Sequence, residues 1–504
     1  MCQENLIGNI NGYPLDDQQN KAATCLRKYS IIVAGAGSGK STTMIGKIKY
    51  LTNYLKVDPQ EILCISFTNE STNSLRNNIS KNCNIKVEVQ TFHKLALMIL
   101  EDNKINFKLA PTNFLDYIID EYFSITNNPL AINNVTLFLK NFFYKKSKKE
   151  YLNIIKTQDF ISFKKLIAKF LNLYFAKYDS IEMLRHFYSM AKNYRDIAFF
   201  NLIIIIYRIY EIEKTSQDII DFDDVIKLAT KIINNGGKIR PFKYIIIDEF
   251  QDTSSIRLNL IKAIIKKNNS SLTVVGDDFQ SIYRFSGCNL DIFLNFKNNF
   301  KKSSVLKIEN TYRNSQELID VAGKFIMKNP AQIKKDLKSN KHISKPIKII
   351  YENSSSLKKL LLYLNDSDFH NVLILGRNNF DIKKYINNDF EIDSNGFILL
   401  KKCNNLKIRF LTVHKSKGLE ADIVIILNLI NSSFGFPNKI EDHKILKYIN
   451  NQDTFPFEEE RRLFYVALTR TKNYVYLMTE KNNSSTFVKE LLKDYKSYIN
   501  IEKF

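Results

Sequence analysis

The chain has 504 residues, 44% hydrophobic and 12% aromatic, enough for several packed cores, which excludes a disordered or fibrous protein. Lys and Arg total 74 against 52 Asp and Glu, and the resulting net charge of +22 favours a polyanionic partner, although a Lys-, Asn- and Ile-rich genome gives the same bias. Six scattered cysteines without a C-x-x-C pair or zinc spacing exclude a disulfide scaffold and read as reduced thiols of a cytoplasmic protein.

The start, Met1-Cys2-Gln3-Glu4-Asn5, has neither a basic region nor an apolar stretch, so no secretory signal is expected. Short β-rich runs then alternate with longer helical stretches, the pattern of a parallel α/β protein. Strands are predicted at Ser30–Val33, Ile62–Ser66, Tyr244–Ile247 and Leu272–Val275, then at Ile347–Tyr351, Val372–Leu375, Ile408–Val413, Ile423–Leu427 and Tyr474–Met478. Between Leu95 and about Ile219 the period is helical and the composition rich in Phe, Tyr and Lys, which predicts a helical insertion. Its longest aliphatic run, Leu202–Ile206, is far shorter than the ~18–20 residues of a membrane span, so no membrane partner is expected. The first sheet pattern ends around Ser286–Asp291. The expected division is therefore residues 1–95 with 220–288 as a first α/β unit, 96–219 as the insertion, and 289–504 as a second α/β unit. No repeat of fixed period is present.

The most specific local signal is Ala34-Gly35-Ala36-Gly37-Ser38-Gly39-Lys40-Ser41, directly after the apolar run Ile31-Ile32-Val33. Glycines let backbone N–H groups approach a polyphosphate, Lys40 can reach the β- and γ-phosphates, and Ser41 can hold Mg²⁺. The helix expected from Thr42 onward turns its N-terminus to the anion. Ala34 stands where the general pattern has Gly, a position where a short side chain still fits. A second signal is Ile245-Ile246-Ile247-Asp248-Glu249, an apolar strand ending in two acids. At that position Asp248 can hold Mg²⁺, and Glu249 can orient or deprotonate an attacking water.

Together with these, Asp248-Glu249-Phe250-Gln251-Asp252 resembles the second motif of superfamily 1 helicases of the UvrD/Rep type, and further motifs follow in order. Leu15-Asp16-Asp17-Gln18-Gln19 resembles the adenine-reading motif, with Gln19 at the base-contacting position. Phe67-Thr68-Asn69 and Thr91-Phe92-His93 resemble motifs that line the single-strand path. Val275–Gly287 resembles the third motif, Thr311-Tyr312-Arg313 the fourth, Val413–Glu420 the fifth and Glu458–Arg470 the sixth. The wording Tyr283–Gly287 and Asn329–Lys335 is similar to motors of the helicase IV type. About 100 residues separate Arg313 from His414, too few for the large second-domain insertion (2B) of many relatives.

The resemblance implies two RecA-like parallel-sheet P-loop domains, the first bearing the helical insertion, with ATP and Mg²⁺ as cofactors. It implies a catalytic set of Lys40, Asp248, Glu249, Gln280, Arg313 and Arg470, with Ser41 and Asp248 on the metal. Nucleotide contacts fall to Gln19, Ala34 to Thr42 (Gly35, Ala36, Gly37, Ser38, Gly39, Lys40 and Ser41 between them), Tyr312 and Glu420. DNA contacts fall to Phe67, Asn69, His93, Tyr283, Phe285 and His414. Arginines reaching across a cleft would make hydrolysis depend on closure of two units, and such a finger is worth roughly 10³–10⁵ in rate. Stacking platforms for single strands are aromatic, and with no Trp in the chain Phe285 stands where the third motif often has one. Core packing is the competing reading for Phe67 and Tyr283, and a surface helix position for Arg470. Thr42, Glu70 and Asn78 depart from the family pattern at an Arg, a Lys and a second Arg. The expected function is an ATP-dependent 3′–5′ DNA helicase and translocase on single-stranded and tailed duplex DNA, serving repair, recombination or replication. The alternatives are a DNA-stimulated ATPase subunit of a repair or anti-phage complex with a protein partner, and a catalytically silent DNA-binding module.

Overall fold

A computed structural model describes residues 7–125, 128–140, 153–353, 355–386, 389–450 and 454–504. The basic run Phe142-Phe143-Tyr144-Lys145-Lys146-Ser147-Lys148-Lys149, weighed as a duplex contact against an ordinary amphipathic helix, lies outside them. The strands of the first half are β1 (Tyr29–Ala34), β2 (Ile62–Ile65), β3 (Glu88–Gln90), β4 (Lys108–Leu109), β5 (Ile219–Ile220), β6 (Tyr244–Ile247), β7 (Ser271–Gly276) and β8 (Ser304–Ile308). Those of the second half are β9 (Ile347–Tyr351), β10 (Asn371–Gly376), β11 (Phe390–Ile392), β12 (Phe397–Leu400), β13 (Cys403–Thr412), β14 (Ala421–Ile426), β15 (Thr471–Thr479) and β16 (Ile499–Glu502).

Six strands form one parallel sheet in the order β3-β2-β6-β7-β1-β8. Its inner strands are buried almost end to end, which is why they read as continuous apolar runs: helices cover both faces of a parallel sheet. The second sheet runs β11-β12-β13-β10-β14-β15-β9-β16, parallel except for the antiparallel β11–β12–β13 meander. All nine predicted strands are present, within a few residues at their ends.

Two boundaries differ from expectation. Strand β8 pairs with β1, Ser30 opposite Ser304 and Ala34 opposite Ile308, so the first sheet extends past residue 288. Its sequence, Ser-Val-Leu-Lys-Ile, is half exposed and carries a lysine, as an edge strand can, and so gives a weak signal. Helix Phe92–Asp102 packs Leu95, Ala96, Ile99 and Leu100 into the core under the first sheet, not into the insertion. The insertion's own core joins helices Phe114–Ser124, Pro129–Lys140, Gln158–Phe175, Glu182–Met190 and Tyr194–Ser216 through an aromatic network around Phe163, Phe170, Phe199 and Phe200. The short parallel pair β4–β5 closes its neck.

A strap from the second unit, between β14 and helix Glu458–Leu468, docks onto this insertion. Ile445, Leu446 and Ile449 enter its core, the Tyr448 hydroxyl donates to Asp196 at 3.0 Å, and Lys177 Nζ donates to the Ile449 carbonyl at 2.5 Å. Among the described residues no helix is long and apolar enough to cross a membrane.

Candidate functional site

In a parallel sheet the loops after the strand carboxyl ends gather at one edge, and ligands bind there. The phosphate loop follows β1, Phe67–Asn69 follow β2, Thr91–His93 follow β3, Asp248 and Glu249 follow β6, and Asp277–Gln280 follow β7. One topology thus brings five motifs to one rim.

The phosphate loop is held from both sides. Gly37 and Gly39 have φ of +71° and +78°, where a side chain is strained. A Cβ on Gly37 would lie 2.6 Å from the Cβ of Arg313, and one on Gly39 would lie 2.6 Å from Nε2 of Gln19. The Thr311 hydroxyl donates to the Ala36 carbonyl at 2.7 Å, and the Tyr312 N–H to the Gly37 carbonyl at 3.0 Å. Ala34 ends β1 and is fully buried, and Gly35 faces Leu337, so neither opens onto the cleft. Asp16 caps helix Asp17–Ala23, and its carboxylate also accepts from the Tyr312 hydroxyl at 2.5 Å. Both ends of the buried Gln19 amide are engaged: Nε2 donates to the Ser38 carbonyl, and Oε1 accepts from the Asp16 N–H.

A 460 Å³ cleft is lined by Gly37, Ser38, Gly39, Lys40, Ser41 and Thr42 on one side and by Tyr312, Arg313, Glu420 and Arg470 on the other, with Glu249 and Gln280 between. Lys341, Gly418 and Lys472, not assigned from sequence, line it too. Glu249 sits at φ +49°, a left-handed backbone uncommon for a non-glycine residue and concentrated at functional sites. Its carboxylate lies 3.9 Å from Lys40 Nζ and 3.7 Å from Lys417 Nζ. Burial pushes Glu249 up, but Lys40 and then Lys417 outweigh it and hold the group at about 2. Asp248, behind it, is pushed up to about 7 by burial and by the Glu249 charge. The two acids thus have opposed environments: Lys40 and Lys417 hold Glu249 down, but at Asp248 the same two cations do not offset burial and the Glu249 charge.

Across the cleft, Gln280 links the two units. Its Nε2 donates to Asp277 at 2.6 Å and its Oε1 accepts from Arg470 Nη2 at 3.2 Å. Arg470 is only 2% exposed, so the surface-helix reading fails; burial and then Arg313 pull it down to about 9. Arg313 donates to Glu420 at 2.8 Å, and Glu420 also meets Lys472 at 3.1 Å. Lys417 went unassigned from the sequence, although it sits inside the fifth-motif run. It pairs with Asp252 and donates to the Gln280 carbonyl at 2.8 Å, bridging the units below the cleft.

The DNA-contact candidates divide into two groups. On the first unit, Phe67 packs edge-on to Phe92, with the Arg257 guanidinium 4.6 Å from its ring centroid. His93 meets Phe222 edge-on at 5.7 Å, and Asn69 stands exposed in the first turn of its helix. At the junction with the second unit, the Tyr283 hydroxyl donates to the His414 carbonyl at 3.1 Å and its ring packs against the second core. Phe285, 56% exposed, lies 5.6 Å from the His414 ring. Core packing therefore takes part of Phe67 and Tyr283, as the competing reading has it, while Phe285 offers a free face. Arg257 went unassigned because nothing in its own helix marks it.

The profile of the UvrD/REP helicase N-terminal domain matches residues 15–301, and that of the UvrD-like helicase C-terminal domain matches residues 397–482. The chain is 28% identical to DNA helicase IV of Escherichia coli, over 96% of its own length and 71% of that protein. It is 30% identical to the ATP-dependent DNA helicase Rep of Buchnera aphidicola, over 67% of its length, and spans 48% of that relative. Against the ATP-dependent DNA helicase PcrA of Leuconostoc citreum it is 28% identical over 67% of its length and spans 41% of that protein. With the first profile covering more than half of its residues, the chain is an enzyme of the UvrD/REP helicase family.

Proposed function

We propose that the chain is a motor that couples ATP hydrolysis to 3′–5′ movement along single-stranded DNA and to separation of the duplex ahead, in repair, recombination or replication. The observation that supports coupling in this reading is the hydrogen bond from Arg470 of the second unit to Gln280 of the first, in the wall of the phosphate-loop cleft; the 3′–5′ direction is taken from the family resemblance. Phosphoryl transfer is mostly positioning and charge neutralisation. Lys40 from one unit and Arg313 and Arg470 from the other supply the charge, so hydrolysis proceeds only when the units are closed. Ionised Glu249 orients the attacking water, and Tyr312 offers a stacking face for the base. Gln19 contacts the base edge once its present hydrogen bonds are exchanged.

The donor chemistry fits Mg²⁺. One hydroxyl, Ser41, and one carboxylate, Asp248, would hold an ion that otherwise keeps waters and phosphate oxygens, and no cage of three His, Cys, Asp or Glu exists among the described residues. When bound, the ion supplies neutralisation of phosphate charge.

The test is ATPase activity with and without single-stranded DNA, followed by strand displacement on 3′-tailed and 5′-tailed duplexes. DNA-stimulated ATPase with displacement of the 3′-tailed substrate alone is expected. Stimulated ATPase without displacement would favour a subunit that needs a protein partner. Absence of both would overturn the motor reading.

A further inference from the structure

A cationic group lies buried behind the cleft, outside every role assigned so far. After helix Gln316–Ile326 the chain crosses back over the first unit: Lys307 Nζ donates to the Lys334 carbonyl at 2.7 Å, the Asp336 N–H to Glu309 at 2.8 Å, and the Lys338 N–H to the Glu309 carbonyl at 2.8 Å. Between these anchors Lys335 turns inward and is 1% exposed at its side chain. Its Nζ pairs with Asp277, lies 2.6 Å from Asp278, and sits 3.6 Å from the centroid of the Phe279 ring. Burial pulls the ammonium down, but the two carboxylates overcome it. A lone lysine thus serves two buried acids.

The two acids do different things. Asp278 accepts from the Ile333 N–H at 2.8 Å, which fastens the crossing segment. Asp277 gives one oxygen to Lys335 and the other to Gln280 Nε2, so Lys335, Asp277, Gln280 and Arg470 form one continuous chain of polar contacts. The Asp277 N–H also donates to Gln251 Oε1, and Gln251 donates to Glu249 at 2.5 Å. The oxygen that meets Lys335 also accepts from the Phe279 N–H at 3.1 Å, so without the ammonium Asp277 keeps one backbone anchor and loses the charge that holds its carboxylate between Lys335 and the Gln280 amide.

We propose that Lys335 is a positioning residue for ATP hydrolysis: it pins Asp277, which aims Gln280 between the γ-phosphate and Arg470. This rests on the motor reading above. A purely structural lysine would lower stability without a selective effect on turnover.

The test uses the full chain, measured well below each variant's melting temperature with saturating single-stranded DNA. Lys335→Met is expected to lower kcat by about 10- to 10²-fold with KM for ATP and DNA affinity unchanged. Asp278→Asn, which leaves Lys335 on Asp277, should melt earlier yet keep near-wild-type kcat. If Lys335→Met fails to fold, the charge-balanced pair Asp278→Asn with Lys335→Met replaces it and should lose kcat where Asp278→Asn alone does not. Combining Lys335→Met, or that pair, with Gln280→Ala should cost no more than Gln280→Ala alone, because both act through one amide. Wild-type kcat at Lys335→Met or the pair, equal losses at Asp278→Asn and Lys335→Met, or additive losses with Gln280→Ala would overturn the inference. A wild-type chain without ATPase would instead remove the motor reading itself.

Discussion

The nucleotide cleft and the aromatic face of the same rim are built on different terms. In the cleft, the charged side chains are held by another charge or amide, in two pairs across the units: Arg470 by Gln280 and Glu249 by Lys417, with Arg313 held by Glu420 and Glu249 by Lys40 within one unit. On the aromatic face, Phe67 and Tyr283 have one side in a core, and Phe285 stands out from its loop. Groups that must meet a highly charged ligand are fixed beforehand, because reorienting charge during reaction is costly. Rings proposed to accept any base need only a face, since stacking is tolerant of sequence.

The sharpest break in this contrast is Arg313→Ala, expected to lower ATP turnover by about 10³–10⁵-fold while single-strand affinity, read by fluorescence anisotropy, stays. Lys40→Ala should cost at least about 10²–10³-fold in turnover with DNA binding again intact; lost binding would signal misfolding instead. Leu446→Ala, in the strap, should remove about 2–5 kcal/mol from docking onto the insertion, seen in thermal melts and in faster amide exchange of residues 442–450, with the cleft unaffected. Phe285→Ala should weaken single-strand binding by about 1–3 kcal/mol and leave KM for ATP unchanged. Equal damage to both readouts from any of these would erase the distinction between the regions.

The smallest effect concerns pH. Burial lowers His93 to about 4, helped by Arg257, and lowers His414 to about 4, helped by Arg377 and Lys417. Unfolded, each ring takes a proton near its ordinary 6.5. The unfolded chain therefore binds more protons between the two values, so this stability is present above 6.5 and lost as pH falls to about 4. Asp248, raised to about 7, acts in the opposite sense across that window, so the histidine share is read by comparison: the melting temperature of His93→Gln/His414→Gln should fall less toward pH 4 than that of the wild type. Single-strand affinity should show no histidine step near 6.5, and a step there would mean that one ring is solvated.

Much of this arrangement is legible in the sequence because phosphate chemistry demands fixed residue types at fixed spacings. Gly37, Gly39 and Lys40 announce themselves, and Asp248 is marked by the apolar strand before it. Inner strands such as Tyr244–Ile247 are legible for a related reason: burial on both faces leaves only apolar residues. Edge strand β8 is not, because half of it faces solvent and its lysine mimics a loop. Lys335 and Arg257 escape for a deeper reason. Each acts on a segment far away in sequence, and a lysine inside a polar connection looks like any solvated one until the fold buries it. The strap escapes similarly, since Ile445, Leu446 and Ile449 form too short an apolar run to suggest a partner as far upstream as Asp196, 252 residues before Tyr448.

That strap gives the insertion two masters. By chain connection it grows from the first unit through the β4–β5 neck, yet Ile445, Leu446 and Ile449 give it part of its core from the second. The C-terminal end of its helix Gln158–Phe175 also abuts the third-motif loop, where a Cβ on Gly287 would lie 2.3 Å from that of Ala176. Under the closure proposed above, a body anchored to both units is loaded from two sides whenever they move against each other. A pair of dyes on the insertion and on the first sheet tests this: a distance that changes with each ATP cycle is expected, and a constant distance would mean that the insertion travels with the first sheet alone.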